Sequence, residues 1–157
     1  EAFERIRENF IAVYRRLFGG GMANLVLQQP EDGDALLNGG IEIIAQPPGK
    51  KLQNISLLSG GEKALTAIAL MFGIFMYKPS PFCVMDEIDA PLDDANVGRF
   101  REMLREFSED TQFLIITHNK ITMNLADTLY GITMQETGVS SLVSVNFDQI
   151  EAVHATA

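Results

Sequence analysis

The sequence predicts an α/β domain, a largely parallel sheet flanked by helices and closed by a β-hairpin. Three observations carry this expectation. From Gly60 onward helical stretches alternate with short apolar runs, the order that builds parallel strands joined by helical crossovers. Two of these runs, Phe82 to Met85 and Phe113 to Ile116, are apolar throughout and read as buried strands. Near the end, Tyr130 to Gln135 and Leu142 to Phe147 flank Thr137-Gly138, the pattern of a hairpin.

Each element has a local signature. Phe3, Ile6, Phe10, Val13 and Leu17 recur at helical spacing, with Arg5, Glu8 and Arg16 between them, as in an amphipathic helix. No capping residue precedes Glu1, so residues 1–20 are expected to be the end of a longer helix, leading from a coiled coil in a larger protein. Gly19-Gly20-Gly21 ends that helix, because glycine enters left-handed geometry at little cost. Asn24 to Gln28 and Ile41 to Gln46 read as strands around the turn-rich stretch Pro30 to Gly40. Pro47-Pro48-Gly49 breaks the second strand, and Lys50-Lys51 reads as a solvated basic pair. The helix from Gly60 to Tyr77 is apolar nearly all round, which predicts burial. Asp94 to Ser108 is amphipathic and helical, and Lys120 to Asp127 reads as a short helix. Residues 21–150 are expected to form the domain, and the tail 151–157, which carries no pattern, to be disordered.

Bulk properties narrow the class. The 157 residues suit one domain with a real core, and 46% hydrophobic with 21% charged is ordinary for a soluble protein. The most apolar stretch, Ala64 to Tyr77, is too short to span a bilayer. A single cysteine, Cys83, excludes an internal disulfide and agrees with a reducing cytoplasm. A net charge of -9 is a poor match for DNA phosphates, so any DNA contact of a parent protein would need cationic surface elsewhere or in a local patch.

Four motifs carry chemistry. In Leu58-Ser59-Gly60-Gly61-Glu62-Lys63, Ser59 and Glu62 have capping-box spacing for the helix that follows. Paired glycines weaken a helix start unless something approaches the backbone closely. Bare N–H groups, the positive helix end and the Ser59 hydroxyl together make an anion site compatible with a phosphate. In Phe82-Cys83-Val84-Met85-Asp86-Glu87, an apolar strand delivers two acids to its C-terminal tip, where α/β proteins bind ligands. Neighbouring residues on a strand face opposite ways, so the two acids divide their work. Asp86 suits Mg²⁺ held through water, and Glu87 suits orienting or deprotonating an attacking water. In Asp89-Ala90-Pro91-Leu92-Asp93-Asp94, Asp93 or Asp94 can cap the next helix. In Ile115-Ile116-Thr117-His118-Asn119, His118 ends the next strand and lies near Glu87 if the two strands are neighbours.

Taken in order, these motifs resemble the C-terminal half of an ABC-type P-loop ATPase, and specifically the head of an SMC (structural maintenance of chromosomes) protein of bacterial type. Ser59-Gly60-Gly61-Glu62 matches the signature motif, Phe82 to Glu87 Walker B with its catalytic glutamate, Ala90 to Asp93 the D-loop, and His118 the switch histidine. Gly40 to Ile43, Pro47 to Lys51, Leu57 to Leu65, Asp86 to Asn96 and Ile116 to Met123 are similar to SMC proteins in their surroundings, and the resemblance runs from about Met22 to Phe147. Pro91 departs from the small residue usual at its place in the broader class. The phosphate-cradling G-x-x-x-x-G-K-[ST] is absent; Gly49-Lys50 has Ile44 where the upstream glycine belongs. In SMC proteins that loop lies in an N-terminal lobe, separated from this one by long arms and a hinge.

The resemblance implies a half-site for ATP and Mg²⁺, inactive without the N-terminal Walker A lobe. Asp86, Glu87 and His118 would complete the nucleotide site of the same head. Ser59, Gly60, Gly61 and Glu62 would reach the γ-phosphate on a second head, with Asp93 coupling the sites. The implied partners are that lobe, a second head in an ATP-dependent homodimer, a kleisin subunit and, through the full complex, chromosomal DNA in condensation and segregation. The implied place is the cytoplasm, associated with the nucleoid and no membrane. The closing hairpin, Tyr130 to Phe147, is the candidate kleisin surface. Two alternatives stand beside this: an SMC-like repair ATPase of the RecN or zinc-hook type, and a mainly non-enzymatic kleisin-docking module.

Overall fold

The computed structural model describes residues 1–28 and 39–146. Most of the turn-rich stretch from Pro30, together with Phe147 and the tail, lies outside the described residues. Helix α1, Ala2–Phe18, buries Phe10, Val13 and Leu17 of the predicted stripe together with Tyr14 and Phe18, while Phe3 and Ile6 are only half-buried. Gly19 closes it at φ 66, and the N–H groups of Gly19 and Gly20 bond to the carbonyls of Arg16 and Arg15. The chain then enters β1, Met22–Leu27, which pairs antiparallel with β2, Ile41–Gln46. The two-residue β3, Gln53–Asn54, adds to β2 and leads into a 3₁₀ turn, Ile55–Leu57, pieces too short to leave a sequence pattern.

Helix α2, Gly60–Tyr77, begins at Ser59 with the capping box formed. It buries Leu65, Ile68, Ala69, Phe72 and Gly73 against α1 and α3. Strand β4, Phe82–Asp86, is followed by α3, Asp94–Phe107, and by β5, Gln112–Ile116, which lies parallel to β4. Helix α4, Lys120–Met123, and the antiparallel hairpin of β6, Thr128–Glu136, and β7, Val139–Asn146, complete the described chain. Among the described residues the parallel part of the α/β fold is this one strand pair, and the other pairings are antiparallel. No helix among them is long and apolar enough to cross a membrane.

Several expectations change. β4 and β5 are not buried on both faces: Cys83, Met85, Phe113 and Ile115 turn inward, whereas Phe82, Val84, Leu114 and Ile116 are 51–63% exposed. Both faces are apolar, as in a strand covered on two sides, but the described chain covers only one. Helix α2 is open on its outer face for the same reason, with Ile74, Met76 and Tyr77 exposed. Helix α4 stops at Met123 rather than running to Asp127, because the N–H groups of Leu125 and Ala126 turn back to Thr122 and Met123 in tight i→i+3 bonds. Lys50 is not a free surface cation: the turn at Pro47-Pro48-Gly49 brings its ammonium to 2.8 Å from Glu62.

The α1–α2 contact depends on a missing side chain. A Cβ on Gly73 would sit 2.9 Å from the backbone nitrogen of Phe10, and Asn9 bonds to the Gly73 carbonyl at 3.1 Å. Alanine gains helix propensity of about 1 kcal/mol, but forcing two helix backbones apart costs roughly 1–3 kcal/mol. Gly73→Ala therefore lowers the urea midpoint of unfolding, whereas Gly98→Ala, on α3 with open space at its Cβ, does not.

Candidate functional site

Two constellations form at different places. The first lies at the C-terminal tips of the parallel strands. The register Phe82↔Gln112 through Asp86↔Ile116 brings the two strand ends level. Alternation along β4 puts Asp86 on the same open face as Phe82 and Val84. The N–H of Glu87 donates to the Ile116 carbonyl at 2.9 Å, extending the ladder one step past the strand. His118 Nδ1 then stands 3.9 Å from Glu87 Oε1, with both side chains exposed. This is close enough for electrostatic coupling and too far for a hydrogen bond.

Glu87 adopts φ 47, the only positive value among the described non-glycine residues. A side chain in the left-handed region costs roughly 1–3 kcal/mol and is held only where surrounding bonds over-determine it. Those bonds are present: Ala90 N–H reaches the Glu87 carbonyl at 3.1 Å, and Leu92 N–H the Asp89 carbonyl at 3.0 Å. Sequence pattern gave no sign of this strain. It also missed Asp89, which is 1% exposed and accepts hydrogen bonds from the hydroxyls of Thr117 and Thr122. The only local signal was a third acid two residues after the Asp-Glu pair.

The second constellation is the N-terminus of α2. Ser59 Oγ accepts from Glu62 N–H at 3.4 Å, and Glu62 Oε2 accepts from the Ser59 N–H and hydroxyl at 3.0 and 2.8 Å. The Lys50 hydrogen bond holds the Glu62 carboxyl below the usual carboxylate range, against the opposing effect of burial and with smaller help from the Ser59 donors. A hollow of about 380 Å³ opens here between Ser59, Gly61 and Glu62 on one side and Pro48 and Asp93 on the other. Glu87 and His118 do not line it.

The two glycines after Ser59 have different causes. A Cβ on Gly61 would lie 2.9 Å from the Pro91 carbonyl, so Gly61 lets the helix start pack on the loop carrying Asp93. Gly60 faces open space and leaves its backbone accessible. Asp93 caps α3, accepting from Asn96 N–H at 2.8 Å, and also borders the hollow. Among the described residues no group of three or more His, Cys, Asp or Glu could hold a metal. Asp86 offers a single exposed carboxylate at the end of β4, a hard oxygen ligand of the kind that Mg²⁺ takes beside water.

Residues 24–141 match the family profile described as the RecF/RecN/SMC N terminal domain. The chain belongs to the SMC family. It is 54% identical over 154 residues to the chromosome partition protein Smc of Myxococcus xanthus, covering 98% of this chain and 13% of that protein. It is 59% identical over 149 residues to the Bacillus subtilis protein of the same name, covering 95% of this chain and 12% of that one. Among solved structures, the Smc head domain with an extended coiled coil bound to the C-terminal domain of ScpA, derived from Pyrococcus furiosus, superposes with a TM-score of 0.87 at 44% identity, over 98% of this chain and 38% of that one. A structure from work on ATP-driven dimerization and DNA-stimulated activation of SMC ATPases superposes with a TM-score of 0.82 at 42% identity, over 98% of this chain and 91% of that one. This SMC chain thus shares its fold with part of the solved Smc heads and spans about an eighth of the curated relatives it matches.

The strain at Glu87 is testable without any assay of function. At positive φ, alanine keeps the Cβ clash and glycine removes it, a difference of about 1 kcal/mol. Urea unfolding should show Glu87→Gly more stable than Glu87→Ala; equal stabilities would mean that Glu87 is not held in the left-handed region.

Proposed function

We propose that this chain is the C-terminal lobe of an SMC ATPase head and supplies parts of two different ATP sites. The observation that carries the proposal is the pairing of β4 with β5, which sets Asp86, Glu87 and His118 at one strand-end cluster while Ser59 and Asp93 border a separate hollow. Two further observations support the lobe assignment. The sequence has no G-x-x-x-x-G-K-[ST] loop, and the face of β4–β5 that bears Asp86 is apolar and open, as expected where a second lobe carrying that loop would pack. The solved SMC ATPase chain matched over 91% of its length has nearly this extent, so a segment of this size forms a chain of its own there.

In the proposed mechanism the N-terminal lobe holds ATP through its phosphate loop. Asp86 faces that lobe and would hold Mg²⁺ there. The ion, when bound, screens the phosphate charge. Glu87 lies one residue beyond the strand, exposed and beside His118, where its carboxylate orients a water and accepts its proton. His118 stands beside it and donates to a terminal phosphate oxygen.

Ser59 and the N–H groups of Gly60 and Gly61 serve the γ-phosphate of a second head. Here the Ser59 hydroxyl and N–H are already satisfied by Glu62, and Lys50 holds Glu62 in place. An incoming phosphate exchanges one anion for another at the helix end, so engagement reorganises side chains rather than backbone. Charge-assisted bonds of this type contribute roughly 1.5–3 kcal/mol each, enough in number to decide whether two heads associate. Hydrolysis removes the shared anion and releases the pair.

The proposal extends to the kleisin. The exposed apolar residues of the closing hairpin, among them Tyr130, Ile132 and Leu142, offer a surface for its C-terminal domain; the Pyrococcus furiosus Smc head was solved bound to the C-terminal domain of ScpA. Chromosome condensation and segregation, DNA contact through the full complex, hinge homodimerisation and a place at the nucleoid follow from the same reading.

The test is Glu87→Gln in the full-length protein. It keeps size and polarity and removes the base. Head dimers should form with ATP and persist, with phosphate release reduced by two orders of magnitude or more, on the order of what general-base catalysis contributes. Turnover near the unaltered rate would remove Glu87 from that role.

A further inference from the structure

We propose that Asp89 is the positioning residue that locks the Glu87 turn to the His118 turn. The inference rests on the assignment of Glu87 and His118 given above and adds the device that sets their geometry. Asp89 touches no reacting atom.

The carboxylate is buried, 1% exposed, and none of the described Lys, Arg or His side chains forms an ion pair with it. A buried carboxylate without a cation is costly and persists only with several hydrogen-bond donors. Its donors are two hydroxyls. Thr117 Oγ1 lies 3.0 and 2.8 Å from the two Asp89 oxygens, and Thr122 Oγ1 bonds to Oδ2. Each threonine has one hydroxyl proton and points it at Asp89. That direction leaves the Thr117 oxygen to accept the Asn119 N–H at 2.9 Å. Asn119 in turn caps α4 through Ile121 N–H at 2.8 Å.

His118 is therefore clamped on both sides, by Thr117 before it and Asn119 after it, and the chain of hydrogen bonds runs in one direction into Asp89. On the other bank Asp89 sits two residues after Glu87, inside the turn whose bonds hold Glu87 at φ 47. The β4–β5 ladder makes the last backbone link, from Glu87 N–H to the Ile116 carbonyl. Among the described residues no backbone bond joins the two turns past that point, and the Asp89 carboxylate links them through side chains. An apolar residue at position 89 would fill the space without fixing the angle between the two loops.

Two variants of the full-length protein test this with ATP and Mg²⁺. Asp89→Asn turns an acceptor into a donor facing a hydroxyl. Thr117→Val removes one hydroxyl and keeps the shape, so it carries the test even if Asp89→Asn does not fold. In both, kcat should fall about tenfold to a hundredfold, the scale of a small misplacement of catalytic groups, while KM stays within about twofold because nucleotide contacts are untouched. Thr117→Ser should recover most of kcat, and the double variant should be no worse than the poorer single one, because both break the same link. A Thr117→Val protein with unaltered kcat overturns the proposal. So does one in which nucleotide binding and melting temperature fall together with kcat, which would mark a general folding role. Glu87→Gln is measured alongside: if it turns over normally the assignment beneath the proposal fails, and if it is silent while Thr117→Val is normal only the positioning role fails.

Discussion

A one-residue slip between β4 and β5 would turn Asp86 to the helix side of the sheet and carry Glu87 away from His118. The parallel pairing of these two short strands is thus the constraint on which the rest depends. It is held by Cys83, Met85, Phe113 and Ile115 on the inward face, which pack on the cluster built by α1, α2 and α3. The helices fix the sheet, the sheet levels its two strand ends, and the level ends set the distance between an acid and an imidazole. Strain at Glu87 lies at the junction of the last two steps, where a rigid ladder gives way to a turn of the chain's own making.

The N-terminus of α2 obeys a different economy. Its first turn is closed by Ser59, Glu62 and Lys50 within the chain, and Gly61 rests on the Pro91 carbonyl. On the proposed reading, capping and anion recognition compete for the same donors. This competition keeps the isolated helix end satisfied and lets a phosphate take over when a second head arrives. Because the Pro91 loop also carries Asp93, a shift at the helix end is passed by direct contact to the loop that follows Glu87 and Asp89.

Much of this was legible from residue order. Ser59 with Glu62 marked the start of α2 because a capping box is local, and Thr137-Gly138 marked the hairpin for the same reason. Gly60 to Tyr77 and Ile41 to Gln46 were placed correctly. Strand character at Phe82 and Phe113 was clear, but their one-sided cover was not, since an apolar run looks alike whether one face or two are packed. The Lys50–Glu62 pair and the Asp89 cluster were invisible because they are long-range: Thr117 and Thr122 are 28 and 33 positions from Asp89. The left-handed backbone at Glu87 left no trace either, as glutamate is not a residue that favours it. His118 beside Glu87 was conditional on strand adjacency, and the observed register met that condition.

The central claim is that Glu87 and Ser59 of one chain serve different nucleotides, and a mixed dimer addresses it most directly. Full-length protein carrying Ser59→Arg is paired with full-length protein carrying Glu87→Gln, each inactive alone, and ATP turnover of the heterodimer is measured. If the parts are divided between sites, one of the two sites regains an intact Ser59 and an intact Glu87, and about half of the unaltered activity returns. If both residues act on the nucleotide of their own head, every site remains defective and the mixture stays silent.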